Sequence, residues 1–378
     1  MSDGSRVMNG FGLLIKPSSA ECNMNCLYCF YHGRPTDPYA DRKGRRMRDE
    51  VLREMIRQYM NMVDMASLSW QGGEPLLMGL DFFQAAVNYE MKFGRSGQIV
   101  GNSIQTNGTL INAEWARFFN RYKFLIGLSL DGPKEIHDKF RMYHDGRGSY
   151  EDVMRAAEIL RMYHVEFNVL AVVNSFNVKH PNLLFDFFVS EGFQFLQFIP
   201  CTERDPRTGR PTSFSVNPEE YGDFLCALFD RWYNNGNPTV SIRLFDGILS
   251  SMLGMSPGMC MLEDHCGDYV VVEYNGDVYP CDFFVQEDML LGNLLETPLP
   301  RIVEADKFKW FSNLRVGDFP ECKVCRWNEI CHNSCPRFRY VNGGFKERSY
   351  LCEAFRKFFK HSHRRFRILR DKLRRRGF

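Results

Sequence analysis

The pattern of hydrophobic and polar positions alternates between two periods over the first two thirds of the chain. Short runs rich in β-branched and aromatic residues are followed by longer segments whose apolar residues recur every three or four positions. The first pattern is typical of strands and the second of amphipathic helices. Six strands are predicted, at residues 12–17, 68–71, 101–105, 124–130, 166–173 and 194–199. The helices predicted to follow them span residues 49–63, 80–93, 113–122, 150–163, 180–191 and 218–232.

Six strand–helix units in succession predict an α/β fold with a parallel sheet, and their number suits a partial (β/α)6 barrel of the TIM type over residues 1–235. Polar residues stand at the carboxyl ends of several predicted strands, among them Gln71, Gln105 and Ser129. Because the carboxyl ends of parallel strands meet at one mouth, we expect these side chains to line the active site.

The character of the chain changes after residue 240, where spaced cysteines and turns replace the strand–helix alternation. One hairpin is predicted there, with strands at 269–273 and 277–279 joined through Asn275-Gly276. We therefore predict a cysteine-rich second domain over residues 236–355, held together by metal bound to its cysteines. A basic helix over 356–378 follows, and it is expected to pack Phe358, Phe359, Phe366, Ile368 and Leu369 on its apolar face.

Composition narrows the class of protein. Hydrophobic residues make up 44% and charged residues 25%, as in an ordinary globular protein, and no apolar run approaches the roughly 20 residues of a membrane span. The N-terminus lacks the features of a signal peptide, so we expect the protein in the cytoplasm, without a membrane partner. The basic residues of the helix over 356–378 are expected to form its solvent-exposed face, and no nucleic-acid partner is expected.

Thirteen cysteines in a cytoplasmic chain indicate metal binding or catalysis, because that compartment keeps thiols reduced. Cys201 and Cys226 fall outside the cysteine groups and are expected to be buried structural thiols. Cys22, Cys26 and Cys29 stand in a short loop directly after the first predicted strand. Three thiolates can hold three corners of an iron–sulfur cluster and leave one iron open.

A structural zinc site with His32 as its fourth ligand is the alternative for this triplet. Two neighbouring features favour the cluster. Tyr28 precedes the last cysteine of the triplet, and the turn Gly72-Gly73-Glu74-Pro75 follows the second predicted strand.

These residues resemble the radical S-adenosylmethionine superfamily, in which the open iron is chelated by the amino and carboxylate groups of the cofactor. The resemblance implies cofactor contacts from Tyr28, Gly73, Glu74, Ser129, Arg141 and Thr202. Glycine permits a close backbone approach, and Arg141 offers a cation to the cofactor carboxylate. Ordinary surface and loop roles are the alternative for Arg141 and Thr202.

Eight further cysteines suffice for two sites of four thiolates each, and zinc ribbons are the alternative. Their spacing resembles the SPASM extension of radical enzymes that modify peptides. That resemblance implies one auxiliary cluster on Cys260, Cys266, Cys281 and Cys335, and another on Cys322, Cys325, Cys331 and Cys352. Spacing alone would equally allow Cys331 and Cys335 to exchange. Three 4Fe-4S clusters are therefore expected in all.

Longer runs extend the resemblance over nearly the whole chain. They include Leu14-Ile-Lys-Pro, Gln105-Thr-Asn-Gly-Thr-Leu-Ile and Tyr279-Pro-Cys-Asp-Phe. Here the chain resembles the anaerobic sulfatase-maturating enzymes, which oxidise a cysteine or serine of a sulfatase to formylglycine. The resemblance implies a sulfatase polypeptide as substrate and a low-potential electron donor such as flavodoxin or ferredoxin.

Oxidation of a Cβ radical to a carbon–heteroatom double bond requires loss of the thiol or hydroxyl proton, and Asp282 is the candidate general base. The alternative is a surface aspartate, or a hydrogen-bond acceptor beside the cluster ligand Cys281. Gln71 and Gln105 are candidates to bind the substrate peptide, although either could instead satisfy loop backbone. Rival functions are another SPASM enzyme that crosslinks peptides and a non-enzymatic iron–sulfur or zinc-binding module.

Overall fold

The computed structural model describes residues 11–31, 37–40, 44–317 and 319–376. His32, the fourth ligand in the zinc alternative, lies outside the described residues. The chain divides into two compact units. The first unit comprises the described residues within Met1–Ser129, Arg141–Phe167 and Gly267–Ser312, and the second those within Leu130–Phe140, Asn168–Cys266 and Asn313–Phe378.

Strands and helices alternate as the sequence predicts. The strands are β1 Gly12–Lys16, β2 Met65–Trp70, β3 Ile99–Thr106, β4 Leu125–Ser129, β5 Phe167–Val173, β6 Phe195–Pro200, β7 Ser241–Ile242, β8 Tyr269–Glu273, β9 Asp277–Tyr279, β10 Gly292–Asn293, β11 Tyr340–Val341 and β12 Gly344–Phe345. The helices are α1 Asp49–Met62, α2 Leu80–Phe93, α3 Ala113–Tyr122, α4 Lys134–His137, α5 Tyr150–Met162, α6 Pro181–Ser190, α7 Pro218–Tyr233, α8 Arg243–Met252, α9 Leu299–Glu304, α10 Asp306–Ser312, α11 Pro320–Lys323, α12 Asn328–Cys331 and α13 Cys352–Arg374. Every predicted strand and helix up to α7 is confirmed, and only the bounds move, by at most three residues.

Parallel pairing dominates the sheet of the first unit. β1 pairs in parallel with β2 on one side and β8 on the other, and the order continues in parallel through β3 to β4. In the second unit, β5, β6 and β7 pair in parallel in that order. Parallel strands covered by intervening helices confirm the predicted α/β class and agree with a partial barrel.

The predicted hairpin is present, with β8 antiparallel to β9. Gly276 takes a left-handed φ of 91° in the turn, a conformation that glycine adopts without steric cost. Because β8 also pairs with β1, the segment Gly267–Ser312 belongs to the first unit. The predicted domain boundaries at residues 235 and 355 stay predictions.

Helix ends follow local rules in both units. The Asn112 side chain accepts hydrogen bonds from the backbone N–H groups of Glu114 and Trp115, which caps the start of α3. Asn217 caps α7 in the same way, and Pro218 occupies the first helical position. These caps fix where the helices that cover the strands begin.

The basic C-terminal segment, predicted as a helix over 356–378, lies in α13, which begins at Cys352, ends at Arg374 and packs against α7 and α8 in the second unit. Residues 377–378 lie outside the described residues. The apolar face of α13 buries Phe358, Phe359, Phe366 and Leu369, and the Phe366 ring centroid lies 4.7 Å from that of Phe229 on α7. The inclusion of Ile368 was wrong, because its side chain is 47% exposed. Within the described residues, none of the helices combines the length and the apolar character needed to span a membrane.

Candidate active site

The cysteine triplet lies on the loop between β1 and α1 in the first unit. Burial and the nearby Glu74 carboxylate raise the pKa of the Cys22 thiol to about 12, and the Cys26 and Cys29 thiols also raise it. Neighbouring thiols affect one another's charge only when they are close. The loop therefore brings the three predicted cluster ligands together.

Polar side chains of the loop after β3 form hydrogen bonds with the triplet loop. The Asn107 side-chain amide donates to the Cys22 sulfur at 3.7 Å and to Asn23 Oδ1 at 2.9 Å. Asn23 in turn donates to Thr109 at 2.8 Å. The sequence analysis predicts no role for Asn107, although its position directly after a predicted strand, like the position of Gln105 at the end of that strand, is a signal for a site residue.

The Gly-Gly-Glu-Pro turn packs directly on the triplet loop. The N–H of Glu74 donates to the Glu21 carbonyl at 2.8 Å, and Gly73 has a left-handed φ of 47°. A Cβ added to Gly73 would overlap the Glu21 carbonyl oxygen and lie 2.8 Å from its carbonyl carbon. Glycine is thus required here by the approach of the two loops, independently of any cofactor.

The Glu74 carboxylate is wholly buried and is bound by protein donors. It accepts hydrogen bonds from Leu76 N at 3.0 Å, Thr106 Oγ1 at 2.8 Å and Asn107 N at 2.8 Å. Burial raises its pKa to about 7, although these three donors act in the opposite direction. The side chain therefore joins the turn to the loop after β3, and its contact with a cofactor stays a prediction.

The other residues predicted to contact the cofactor interact with neighbouring side chains. In the first unit, the Arg141 guanidinium carbon lies 5.6 Å from the centre of the Tyr28 ring, and both side chains are buried. The Gln105 amide donates to the Ser129 hydroxyl at 2.9 Å. In the second unit, Thr202 follows β6 and accepts from Arg337 Nε at 3.4 Å.

The candidate base Asp282 is buried, with only 3% of its surface exposed. One carboxylate oxygen, Oδ2, accepts a hydrogen bond from the Tyr31 hydroxyl at 2.5 Å and another from the Gln71 amide at 3.0 Å. Its other oxygen, Oδ1, lies 3.5 Å from the Lys16 ammonium. The alternative of a surface aspartate is therefore wrong, and Gln71 contacts Asp282 in this structure.

Lys16 links Asp282 to a second buried carboxylate. Its ammonium lies 2.7 Å from Glu273, the residue opposite it in the pairing of β1 with β8. Burial raises the pKa of Glu273, and the Lys16 charge opposes that rise. A small pocket opens beside this group, lined by Lys16, Ser19, Ala20, Tyr31, Asp37 and Val285.

Sequence reasoning missed Lys16, Tyr31 and Glu273. Lys16 carried a usable signal, since it is a charged residue at the end of an otherwise apolar strand. The side chains of Lys16 and Glu273 are almost wholly buried, as expected only for charges that are paired.

Three cysteines of the second unit lie near a fourth, Cys331. Burial raises the pKa of the Cys331 thiol to about 11, and the thiols of Cys352, Cys322 and Cys325 also raise it. Burial likewise raises the pKa of Cys335, and the charges of Arg315 and Arg337 oppose that rise. The structure thus groups the four residues predicted for one auxiliary site.

Members of the other predicted auxiliary set lie in both units. Cys260, Cys266 and Cys335 belong to the second unit and Cys281 to the first, where its sulfur lies 3.4 Å from the Tyr269 hydroxyl. The two ungrouped thiols differ in exposure: Cys201 is buried, as predicted, whereas Cys226 is only half-buried.

Two family profiles match the chain. A profile described as the radical SAM superfamily matches residues 17–188, and the SPASM profile, described as an iron–sulfur cluster-binding domain, matches residues 264–336. The first match contains the triplet and the Gly-Gly-Glu-Pro turn. The second contains Cys266, Cys281 and most of the cysteines after them.

Relatives match over almost the full chain. A cysteine-type anaerobic sulfatase-maturating enzyme of Clostridium perfringens is 40% identical over 94% of this chain and 97% of its own length. A serine-type enzyme of Bacteroides thetaiotaomicron is 35% identical over 92% of this chain and 88% of its own. Both substrate types therefore occur among the relatives.

Solved structures agree with this similarity. Native anSMEcpe with bound AdoMet and Cp18Cys peptide superposes with a TM-score of 0.88 at 39% identity, covering 96% of this chain and 99% of that one. Streptococcus suis SuiB bound to S-adenosylmethionine superposes with a TM-score of 0.62 at 16% identity, covering 90% of this chain and 77% of that one. The second likeness shows a shared fold only.

Proposed function

The chain belongs to the anaerobic sulfatase-maturating enzymes of the radical S-adenosylmethionine superfamily, and we propose that it oxidises a cysteine or serine of a sulfatase polypeptide to formylglycine. It carries the radical SAM and SPASM iron–sulfur domains, and its relatives are named for this maturation. The observation that carries the proposal is the buried Asp282 carboxylate, held by Tyr31 and Gln71 one residue after the predicted cluster ligand Cys281.

Three 4Fe-4S clusters form part of this proposal. The Cys22, Cys26 and Cys29 loop fits a cluster with one open iron, because it supplies three thiols, and those of Cys26 and Cys29 both raise the pKa of Cys22. The grouping of Cys322, Cys325, Cys331 and Cys352 supports one auxiliary cluster. The remaining four cysteines, Cys260, Cys266, Cys281 and Cys335, would hold the other. Full thiolate ligation leaves no open iron, so the auxiliary sites suit electron transfer.

Conversion of cysteine to the aldehyde level removes two electrons from the substrate. When bound, S-adenosylmethionine with its reduced cluster supplies a 5′-deoxyadenosyl radical that takes a hydrogen atom from Cβ. The first electron leaves with that hydrogen atom. The second must pass to an acceptor as the carbon–sulfur double bond forms, and the thiol proton must leave at the same stage.

Asp282 receives this proton in our proposal. The hydrogen bond from Tyr31 and the nearby Lys16 ammonium hold the carboxylate in one orientation. Water then hydrolyses the thioaldehyde to formylglycine and hydrogen sulfide. For serine, loss of the hydroxyl proton gives the aldehyde directly.

The cofactor and the peptide would be held by the residues predicted for them. Tyr28, Gly73, Glu74, Arg141 and Thr202 stay the proposed S-adenosylmethionine contacts, together with Ser129. Gln71 and Gln105 stay the proposed peptide contacts. Both amides hold neighbouring side chains in this structure, so peptide binding would have to share or replace those bonds.

The proposed partners are an extended segment of a sulfatase and a low-potential one-electron donor such as flavodoxin or ferredoxin. The peptide partner is supported by anSMEcpe, whose structure contains a bound Cp18Cys peptide. A cytoplasmic location completes the proposal.

Anaerobic incubation tests this function directly. The reconstituted enzyme is mixed with S-adenosylmethionine, a reductant and a sulfatase-motif peptide that carries cysteine, serine or alanine at the target position. Mass spectrometry should show formylglycine in the cysteine peptide, the serine peptide or both, and none in the alanine peptide. Release of 5′-deoxyadenosine without any formylglycine, or formation of a crosslink, would contradict the proposal.

A further inference from the structure

Arg339 contacts a predicted cluster ligand from a buried position in the second unit. Its side chain is 3% exposed, and Nη2 donates a hydrogen bond to the Cys322 sulfur at 3.3 Å. Its Nε donates to the Asn333 carbonyl at 2.8 Å, and Nη1 donates to the carbonyls of Lys346 and Glu347. Apart from the Cys322 sulfur, these acceptors are uncharged backbone oxygens.

The described partners of Arg339 are backbone carbonyls, the Cys322 sulfur and an aromatic ring rather than a carboxylate. In the described ranges of the chain, no carboxylate lies within salt-bridge distance of its guanidinium. The guanidinium carbon lies 4.0 Å from the centre of the Phe319 ring. A buried cation that forms no ion pair with any described carboxylate thus lies beside the four-cysteine site.

A second buried arginine fixes the backbone of the same site. Arg315 is 2% exposed and donates to the carbonyls of Cys331 and His332, each at 3.1 Å. The same guanidinium donates to the carbonyls of Cys260 at 2.7 Å and Met261 at 3.0 Å. Arg315 therefore ties together backbone beside ligands predicted for different clusters.

The turn between Cys331 and Cys335 needs this support. His332, Asn333 and Ser334 have φ values of 47°, 61° and 68°, so three successive residues with side chains are left-handed. This conformation is sterically unfavourable for residues that carry a Cβ. Arg315 donates a hydrogen bond to the His332 carbonyl, and Arg339 donates one to the Asn333 carbonyl. Both arginines therefore stabilise the turn between Cys331 and Cys335.

A cluster ligated by four thiolates is an anion and gains a further negative charge when it is reduced. A cation beside it favours the reduced form, and the effect is strong where water is excluded. A hydrogen bond to a ligand sulfur acts in the same direction by withdrawing charge. Arg339 supplies both effects at Cys322.

We propose that Arg339 raises the reduction potential of the cluster held by Cys322, Cys325, Cys331 and Cys352, and so makes it an acceptor for the second substrate electron. This inference rests on the proposed function. The cluster at this site would supply an acceptor for the one electron that the Cβ radical loses together with its heteroatom proton. A one-electron partner protein would then take that electron away.

Redox titration of the reconstituted holoenzyme, followed by electron paramagnetic resonance, tests this role. Signals that do not change when S-adenosylmethionine is added belong to auxiliary clusters. In Arg339→Gln, one auxiliary signal should be about tenfold less reduced at a fixed potential, equivalent to a decrease of about 59 mV for one electron. Arg348→Gln is the matched control, because Arg348 is half-exposed and already paired with Glu353.

An unchanged potential in a fully loaded Arg339→Gln protein would overturn the inference, as would an equal decrease in Arg348→Gln. If Arg339→Gln loses iron, Arg339→Met is titrated instead, because it also removes the charge and the hydrogen bond to Cys322 but keeps an apolar side chain beside Phe319. A tenfold lower reduced fraction in that variant supports the inference, and a parental potential overturns it. The titration needs no peptide. A parent enzyme that makes no formylglycine would therefore refute the proposed function while the Arg339 effect on the potential could still be measured.

Discussion

The Tyr31 hydroxyl donates a 2.5 Å hydrogen bond to the Asp282 carboxylate, and the two residues are 251 positions apart in the chain. Tyr31 lies two residues beyond the last cysteine of the triplet, and Asp282 lies one residue beyond Cys281. The contact thus joins the loop that would hold the radical-generating cluster to the segment that carries an auxiliary-cluster ligand. A base placed there can act on a radical formed beside the first loop.

Replacing Asp282 by asparagine should separate cofactor cleavage from product formation. The side chain keeps its size but loses its basicity, so formylglycine formation should fall by about 100-fold or more. Iron content and 5′-deoxyadenosine release should stay at the parental level, because hydrogen abstraction precedes proton loss. Asp288→Asn, which changes an exposed carboxylate nearby, serves as the control. Parental formylglycine formation would make Asp282 a bystander, and loss of iron would make it structural.

Replacing Tyr31 by phenylalanine should slow formylglycine formation by roughly 10- to 150-fold, since a hydrogen bond to a charged group is worth about 1.5–3 kcal/mol. Tyr89→Phe is a matched control, because the Tyr89 hydroxyl also donates to a carboxylate, that of Asp49, but at the surface. Both rates are measured by mass spectrometry of the peptide. Equal effects of the two changes would argue against a special role for Tyr31.

The sequence predicted the elements of the fold because each strand–helix unit carries its own hydrophobic period. It also predicted that β8 and β9 form a hairpin, since Asn-Gly turns are local signals. It did not predict that β8 pairs with β1, which is a contact between distant segments. For the same reason, the ion pair of Lys16 with Glu273 could not be predicted.

For individual side chains too, the sequence predicted local features but not contacts between distant segments. Glu74 was predicted from its motif, but its three hydrogen-bond donors come partly from the loop after β3, which spacing does not reveal. The spacing of apolar residues places Ile368 near the apolar face of α13, but its side chain is exposed in the structure. Burial around a helix depends on its partner, and that information is not local.

Changing Cys22, Cys26 and Cys29 together to alanine should abolish S-adenosylmethionine cleavage and leave roughly two thirds of the iron, since each auxiliary site keeps four thiolates. Iron assay and 5′-deoxyadenosine release measure the two effects. Cys226→Ala, at a thiol outside the predicted ligand sets, is the control. Normal cleavage would refute the triplet, and loss of all iron would show that the sites depend on one another.

Glu90 should make stability fall as pH rises. Burial raises its pKa from 4.5 to about 7, while hydrogen bonds from the Asn102 amide partly oppose the rise. Between these two values the folded protein holds a proton that the unfolded chain releases, so the free energy of unfolding decreases with increasing pH. Glu90→Gln should flatten this dependence in denaturant unfolding, whereas the exposed control Glu50→Gln should not. A slope unaltered by Glu90→Gln would show that Glu90 titrates normally.

Replacing Gly73 by alanine tests whether the contact between the Gly-Gly-Glu-Pro turn and the triplet loop is required. The new Cβ would overlap the backbone of Glu21, and φ is also left-handed. Gly97→Ala separates the two effects, because Gly97 has a left-handed φ of 81° but open space around its Cβ position. The control should lose about 1 kcal/mol of stability through backbone strain alone. Gly73→Ala should lose more, and the displaced loop should cost iron at the triplet and cofactor cleavage. If both variants are equally stable and equally active, the turn yields without disturbing the triplet, and the close approach is not essential.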